Sequence, residues 1–110
     1  MQPRRREVLH YRTANGKDVF QEWLDDLKNV SARAAILKRI DRVEEGLFGD
    51  HRSVGGGVWE LRVDHGPGYR VYYGEDGLSI VLLLLGGGKA SQKKDIRRAQ
   101  ELWIDYRRTK

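Results

Sequence analysis

The residues best suited to chemistry gather between Arg62 and Lys89. Arg62 and Arg70 flank Asp64-His65-Gly66-Pro67-Gly68, a stretch dense in turn-forming residues. If the flanking segments close into a hairpin symmetrical about Gly66, the two arginines stand opposite each other on one face. Like charges so placed destabilise a sheet by up to about 1 kcal/mol, and an anion held between them would reverse the sign. Guanidinium is well shaped to grip a phosphate at two points. Tyr72, two residues beyond Arg70, shares that face and offers a phenol for stacking or hydrogen bonding. His65 sits in the turn beside Arg62 as a candidate contact or proton carrier. A structural account is equally open, since Glu60 and Asp64 are spaced to pair with these arginines on a solvated sheet.

A second cluster is Gly86-Gly87-Gly88-Lys89-Ala90-Ser91-Gln92. Glycines let a backbone approach a ligand closely, Lys89 adds a cation, and the helix expected from Ser91 would point its N-terminus at the same place. This is not a P-loop. That pattern requires glycine where Leu83 stands and serine or threonine where Ala90 stands. An ordinary hinge explains the glycines as well.

Charge points to the same end of the chain. Residues 1–88 carry 13 basic and 13 acidic side chains, whereas residues 89–110 carry eight and three, so the net +5 belongs to the last 22 residues. Lys93, Lys94, Arg97 and Arg98 supply half of that basic set and are candidate contacts for nucleic acid or an acidic protein partner; a solvated lysine-rich helix face is the bland alternative.

Several chemistries are excluded or unsupported. No cysteine is present, so disulfides, thiolate nucleophiles and cysteine-bound metals are ruled out. His10, His51 and His65 have no ligand-like spacing, so neither a metal nor a cofactor is expected. Ser53, Ser79 and Ser91 lack a nucleophile-elbow motif. The N-terminal MQPRRREV is basic without a following apolar run, and Ile80–Leu85 is too short to span a bilayer. A cytoplasmic protein is expected.

At 110 residues, 39% hydrophobic and 34% charged, the chain should form one domain. A domain of this size buries about 60–68% of its unfolded surface. Val8–Tyr11 reads as a strand. Asn15 is expected to cap a first helix, whose apolar face is Val19, Phe20, Trp23, Leu24 and Leu27. Ser31 is expected to cap a second, with Ile36, Ile40, Val43 and Leu47 inward. The short Asn29–Val30 break makes the pair a hairpin, and Gly46 and Gly49 offer stops. Asp50–Gly57 reads as loop. Trp59, Leu61 and Val63 alternate with Glu60, Arg62 and Asp64; Tyr69, Val71 and Tyr73 alternate with Arg70 and Tyr72. After the turn at Glu75-Asp76-Gly77, Ser79–Leu85 is apolar on both faces and belongs in the sheet centre, ended by Gly86–Gly88. Ser91 caps a last helix that buries Ile96, Ala99, Trp103 and Tyr106. The expected fold is α+β: one N-terminal strand and a three-strand meander in a small antiparallel-rich sheet, an N-terminal helix hairpin packed on it, and a basic C-terminal helix.

Beyond these patterns, WELR, GPGYRVYY and LLLLGGGKASQKKDI, with the earlier Phe20–Leu27 segment, resemble the HigB-like addiction-module killer branch of the RelE/ParE toxin superfamily. The resemblance covers nearly the whole chain. It implies a compact RelE/ParE-like toxin, neutralised by a cognate helix-turn-helix antitoxin. It further implies an mRNA endoribonuclease acting in the ribosome, in which a ribose 2′-hydroxyl attacks the adjacent phosphate without a metal. Carried over by residue, Arg70 stabilises the phosphate, while Arg62 and Lys89 occupy basic positions of the site. Relatives place a tyrosine or histidine near the start of the last helix; here Lys93-Lys94-Asp95-Ile96 stands there, leaving Asp95 as the candidate base. The same resemblance leaves open a ParE-like toxin that inhibits gyrase by contact alone. A non-catalytic basic nucleic-acid-binding module is the third possibility.

Overall fold

The computed structural model describes residues 3–109; Met1, Gln2 and Lys110, the last of these part of the basic C-terminal count, lie outside them. The order is β1 (Glu7–His10), α1 (Val19–Asp26), α2 (Val30–Glu44), β2 (His51–Gly55), β3 (Val58–Val63), β4 (Tyr69–Asp76), β5 (Ile80–Gly88) and α3 (Gln92–Arg108). The strands form one mixed, open sheet in the order β1-β5-β4-β3-β2, with β1 parallel to β5 and the rest antiparallel. The architecture is α+β, with helices on both faces.

Alternation in β3 and β4 divides the core in two. Leu61, Val63, Val71 and Tyr73 face the α1–α2 hairpin, together with Phe20, Leu24, Ile36, Ile40 and Val43. The opposite face carries Val58, Tyr72, Leu82, Leu84 and Leu85 and is covered by α3 through Ala99, Leu102 and Trp103. The unbroken apolar run of β5 thus serves both layers, as a central strand requires. A bulge where Tyr72 and Tyr73 pair with Leu85 and Leu83 turns both Leu84 and Leu85 toward α3.

Four local expectations are corrected. Residues 51–55 form the edge strand β2, not loop: they pair antiparallel with β3, with a register shift between Ser53 and Gly55. Asp18, not Asn15, caps α1, its side chain accepting from the Gln21 amide at 3.0 Å. Asn29, not Ser31, caps α2 by accepting from the Ala32 amide at 3.0 Å, while the Ser31 hydroxyl donates to Asn29. The glycine run does not end β5, which continues through Gly88 beside Tyr69 and Arg70. The reason is packing: a side chain on Gly86 would place its Cβ 2.3 Å from the Trp23 ring, so the strand stays bare there to seat the indole. Ser91 does occupy the N-cap of α3, but its side chain makes no capping bond.

Candidate anion-binding site

The turn Asp64–Gly68 sets the register of the site. Gly66 and Gly68 adopt positive φ values of 56° and 92°, and the hairpin closes with Val63 opposite Tyr69 and Arg62 opposite Arg70. Gly87 of β5 extends that row on the far side of Arg70. The arginines therefore share the α3 face of the sheet, at the end where α3 begins.

The residue that reconciles two opposed guanidinium groups is Glu60. Its side chain is fully buried. The carboxylate lies 3.1 Å from Arg62 Nε, 3.2 Å from Arg52 Nε and 3.4 Å from Arg70 Nε. It also accepts from Gln92 Nε2 at 2.8 Å and from the Tyr72 hydroxyl at 3.1 Å. Burial alone pushes the carboxyl up, but hydrogen bonds from Gln92, Arg62, Tyr72 and Arg52 together hold it below the usual carboxylate range. Tyr72 is in turn pushed well above its ordinary value, chiefly by burial and then by the Glu60 charge and hydrogen bond. Part of the structural account thus holds, because the anion between the arginines is one of the chain's own side chains.

Glu60 does not exhaust the arginines. Arg70 is only 8% exposed, and its Nε, though within ion-pair distance of Glu60, has no hydrogen-bond partner. Buried polar hydrogens are nearly always satisfied, and Arg70 is turned to a cleft of about 320 Å³. Arg62, Arg70 and Lys89 line that cleft with Asp50, Asp64 and the Gly66–Gly68 turn. Lys89, at the far end of β5, is thereby brought to the arginine pair. Asp64 forms no hydrogen bond or ion pair among the described residues.

The remaining candidates sit at varying distances from this centre. Asp95 accepts from the Ser91 hydroxyl at 2.5 Å and lies directly over Gly87, where a Cβ would come within 1.9 Å of its Oδ2. It flanks the arginine row without lining the cleft. Lys93 and Lys94 share an adjoining hollow with Lys89 and Gln92. Arg97 and Arg98 are exposed on α3, and Arg98 borders a different hollow with Tyr11 and Asp105. Tyr72 is completely buried, so its contact with the site runs through Glu60 and not through a stacked base. His65 faces α2, its Nε2 3.0 Å from the Ser31 hydroxyl. Sequence reasoning passed over Gln92, Arg52, Asp50 and Asp64 as parts of the site. Gln92 stands within the motif already quoted, one residue after the cap; Arg52 and Asp50 were hidden by the missed edge strand.

The sheet face thus ends in an arginine pair beside the start of α3. The chain matches the family described as "Phage derived protein Gp49-like (DUF891)" over residues 22–103, and it belongs to that family. The family is associated with RelE-like toxins of toxin–antitoxin modules. A Haemophilus influenzae protein (strain ATCC 51907 / DSM 11121 / KW20 / Rd), of unassigned function, is 49% identical over 83 residues, covering 76% of this chain and 84% of the relative. Among the described residues, no helix is long and apolar enough to cross a membrane.

Proposed function

We propose that this chain is the toxin of a type II toxin–antitoxin module and that it cuts mRNA on the ribosome. The observation that carries this reading is Arg70: a nearly buried guanidinium that lines a cleft shared with Arg62 and Lys89. In the proposed reaction, a ribose 2′-hydroxyl attacks the adjacent phosphorus and the 5′-oxygen of the next nucleotide leaves. A cyclic phosphate remains on one fragment, and the leaving 5′-oxygen takes a proton from solvent to become the 5′-hydroxyl of the other. Arg70 and Arg62 would hold the non-bridging oxygens as negative charge builds on them, with Lys89 completing the cation set. Preorganised charge of this kind is commonly the largest catalytic term. Asp64, free of partners and on the cleft wall, is better placed than Asp95 to take the 2′-hydroxyl proton, because Asp95 is engaged by Ser91. Family membership supports a cognate antitoxin as the physiological partner.

One observation favours a second reading. Glu60 already compensates Arg62 and Arg70, which gives both arginines a structural reason to exist. On that reading the toxin would act by contact, as a gyrase inhibitor of the ParE kind, and cut nothing. Induced expression followed by mapping of mRNA 5′ ends separates the two. The nuclease reading expects new 5′ ends within translated messages, lost in Arg70→Ala. Asp64→Asn should abolish cutting without weakening RNA binding. Intact transcripts with collapsed plasmid supercoiling would establish the gyrase reading instead.

A further inference from the structure

The cleft alone is a poor receptor for a polyanion, because Asp50 and Asp64 stand on its walls and Glu60 beneath its arginines. Exposed basic side chains that form no ion pair among the described residues lie next to it. A second groove of about 340 Å³ is lined by Lys38, Arg39 and Arg42 of α2 with Ala35, and it shares Val63 and Asp64 with the cleft. Lys38 and Arg42 are exposed, one helical turn apart on α2. Arg39 is half-buried between them and donates to the carbonyls of Arg62, Phe48 and Asp50. It therefore fixes α2 against the strand that carries Arg62 and positions the two exposed cations relative to the cleft. Among the described residues, neither Lys38 nor Arg42 forms an ion pair.

We propose that the Lys38–Arg42 groove is the continuation of the cleft and carries the flanking phosphates of a single nucleic-acid strand across the Val63–Asp64 saddle. The proposal rests on the cleft taking a phosphate. It adds the direction in which the strand leaves: over α2 and not only along the lysines that begin α3. A narrow path of two joined hollows suits an extended single strand. Asp64 at the saddle faces the sugar edge between two phosphates, where a carboxylate is tolerated.

The test compares two probes, both 2′-O-methylated to prevent cutting: a dinucleotide and a fluorescein-labelled dodecanucleotide, titrated against the intact chain at several salt concentrations. The wild type should bind the longer probe more tightly. Lys38→Glu/Arg42→Glu should weaken the dodecanucleotide by about tenfold or more and reduce its salt slope by about 1.4, the equivalent of two single-strand phosphate contacts. Dinucleotide binding should stay within about twofold, since one phosphate reaches only the cleft. Unchanged dodecanucleotide affinity would overturn the proposal, as would equal weakening of both probes. Binding of an acidic peptide that depends on Lys38 and Arg42, with no such dependence for RNA, would also overturn it. If Arg62→Ala/Arg70→Ala leaves dinucleotide binding intact, the cleft reading itself fails, whatever the groove does.

Discussion

At one end of α3, the Trp103 indole lies flat against the sheet, with Gly74 left bare beneath it and Val58, Leu82 and Leu84 around it. At the other end, the same helix meets the same sheet face through Gln92 and Asp95, over Glu60, Arg70 and Gly87. The apolar end is held by packing, with Tyr106 stacked on the indole and the Arg107 guanidinium over it. The polar end is satisfied by the pairing of charges around Glu60, where Arg70 Nε makes an ion pair but no hydrogen bond. A buried ionic cluster is weak support for stability as such, because desolvating the charges offsets most of their attraction. What distinguishes the polar end is that it opens on the cleft lined by Arg62, Arg70 and Lys89. That asymmetry is the physical basis for assigning function there.

The largest effect should come from removing the hub of the polar end. Glu60→Ala leaves three guanidinium groups without their shared carboxylate, and breaking a buried pair in this way costs about 3–5 kcal/mol. Trp103→Ala at the apolar end should cost a similar ~3–5 kcal/mol by cavity formation. Equilibrium urea unfolding measures both, and pH separates them. The Glu60 carboxyl is held below its ordinary value of 4.5 in the folded protein. Its contribution is therefore complete above the unfolded value and is lost as pH falls through the lower folded one. Wild type and Trp103→Ala should share this acid-dependent loss, and Glu60→Gln should lack that component. An acid profile unchanged in Glu60→Gln would remove Glu60 from its central place.

A single added methyl should tell the two ends apart next. In Gly74→Ala the new Cβ meets the Trp103 ring at 2.3 Å, and a ring wedged in a core cannot step aside. Overpacking of this sort costs about 1–3 kcal/mol. In Gly87→Ala the new Cβ meets the end of the Asp95 side chain, which can rotate away at the loss of its Ser91 hydrogen bond. Here the loss should be closer to about 1 kcal/mol, one hydrogen bond. The released carboxylate would also move beside Arg70, so phosphate affinity should fall. Equal destabilisation at the two positions would mean that the polar end is packed as rigidly as the apolar one.

The same division runs through what the sequence made legible. Helix faces and the register of the Arg62–Arg70 hairpin follow from local periodicity and from the turn at Gly66, so they could be read directly. The α3 face could be read as charged but not as buried, because Gln92, which closes it over Glu60, is 32 residues away in the chain. Strand β2, with the sequence HRSVG, has neither an apolar face nor alternation; its ladder exists only because β3 offers an edge. The helix starts shifted because each holds two good caps within three residues, Asn15 or Asp18 and Asn29 or Ser31, and only the chain's path selects between them. Gly86 and Gly87 read as a hinge because the groups that need their space, Trp23 and Asp95, lie on α1 and α3. Sequence showed where the charges were and not which of them were already spent.

The smallest expected effect tests that last distinction. The Ser91 hydroxyl holds Asp95 at 2.5 Å and caps no backbone amide, so Ser91→Ala removes one side-chain hydrogen bond and no capping bond. The stability loss should be about 0.5–1.5 kcal/mol, well under the cost of Gly74→Ala. The consequence for function should exceed the consequence for folding. Without Ser91, Asp95 becomes free to turn toward Arg70 and Lys89, and the cleft loses part of its attraction for phosphate. Dinucleotide affinity in Ser91→Ala should therefore drop, and Ser91→Ala/Asp95→Asn should restore it by removing the competing charge. If the double variant binds as weakly as the single one, Asp95 is no competitor for the arginines. The excess capacity of the polar end would then have to be sought on the Asp64 side of the cleft.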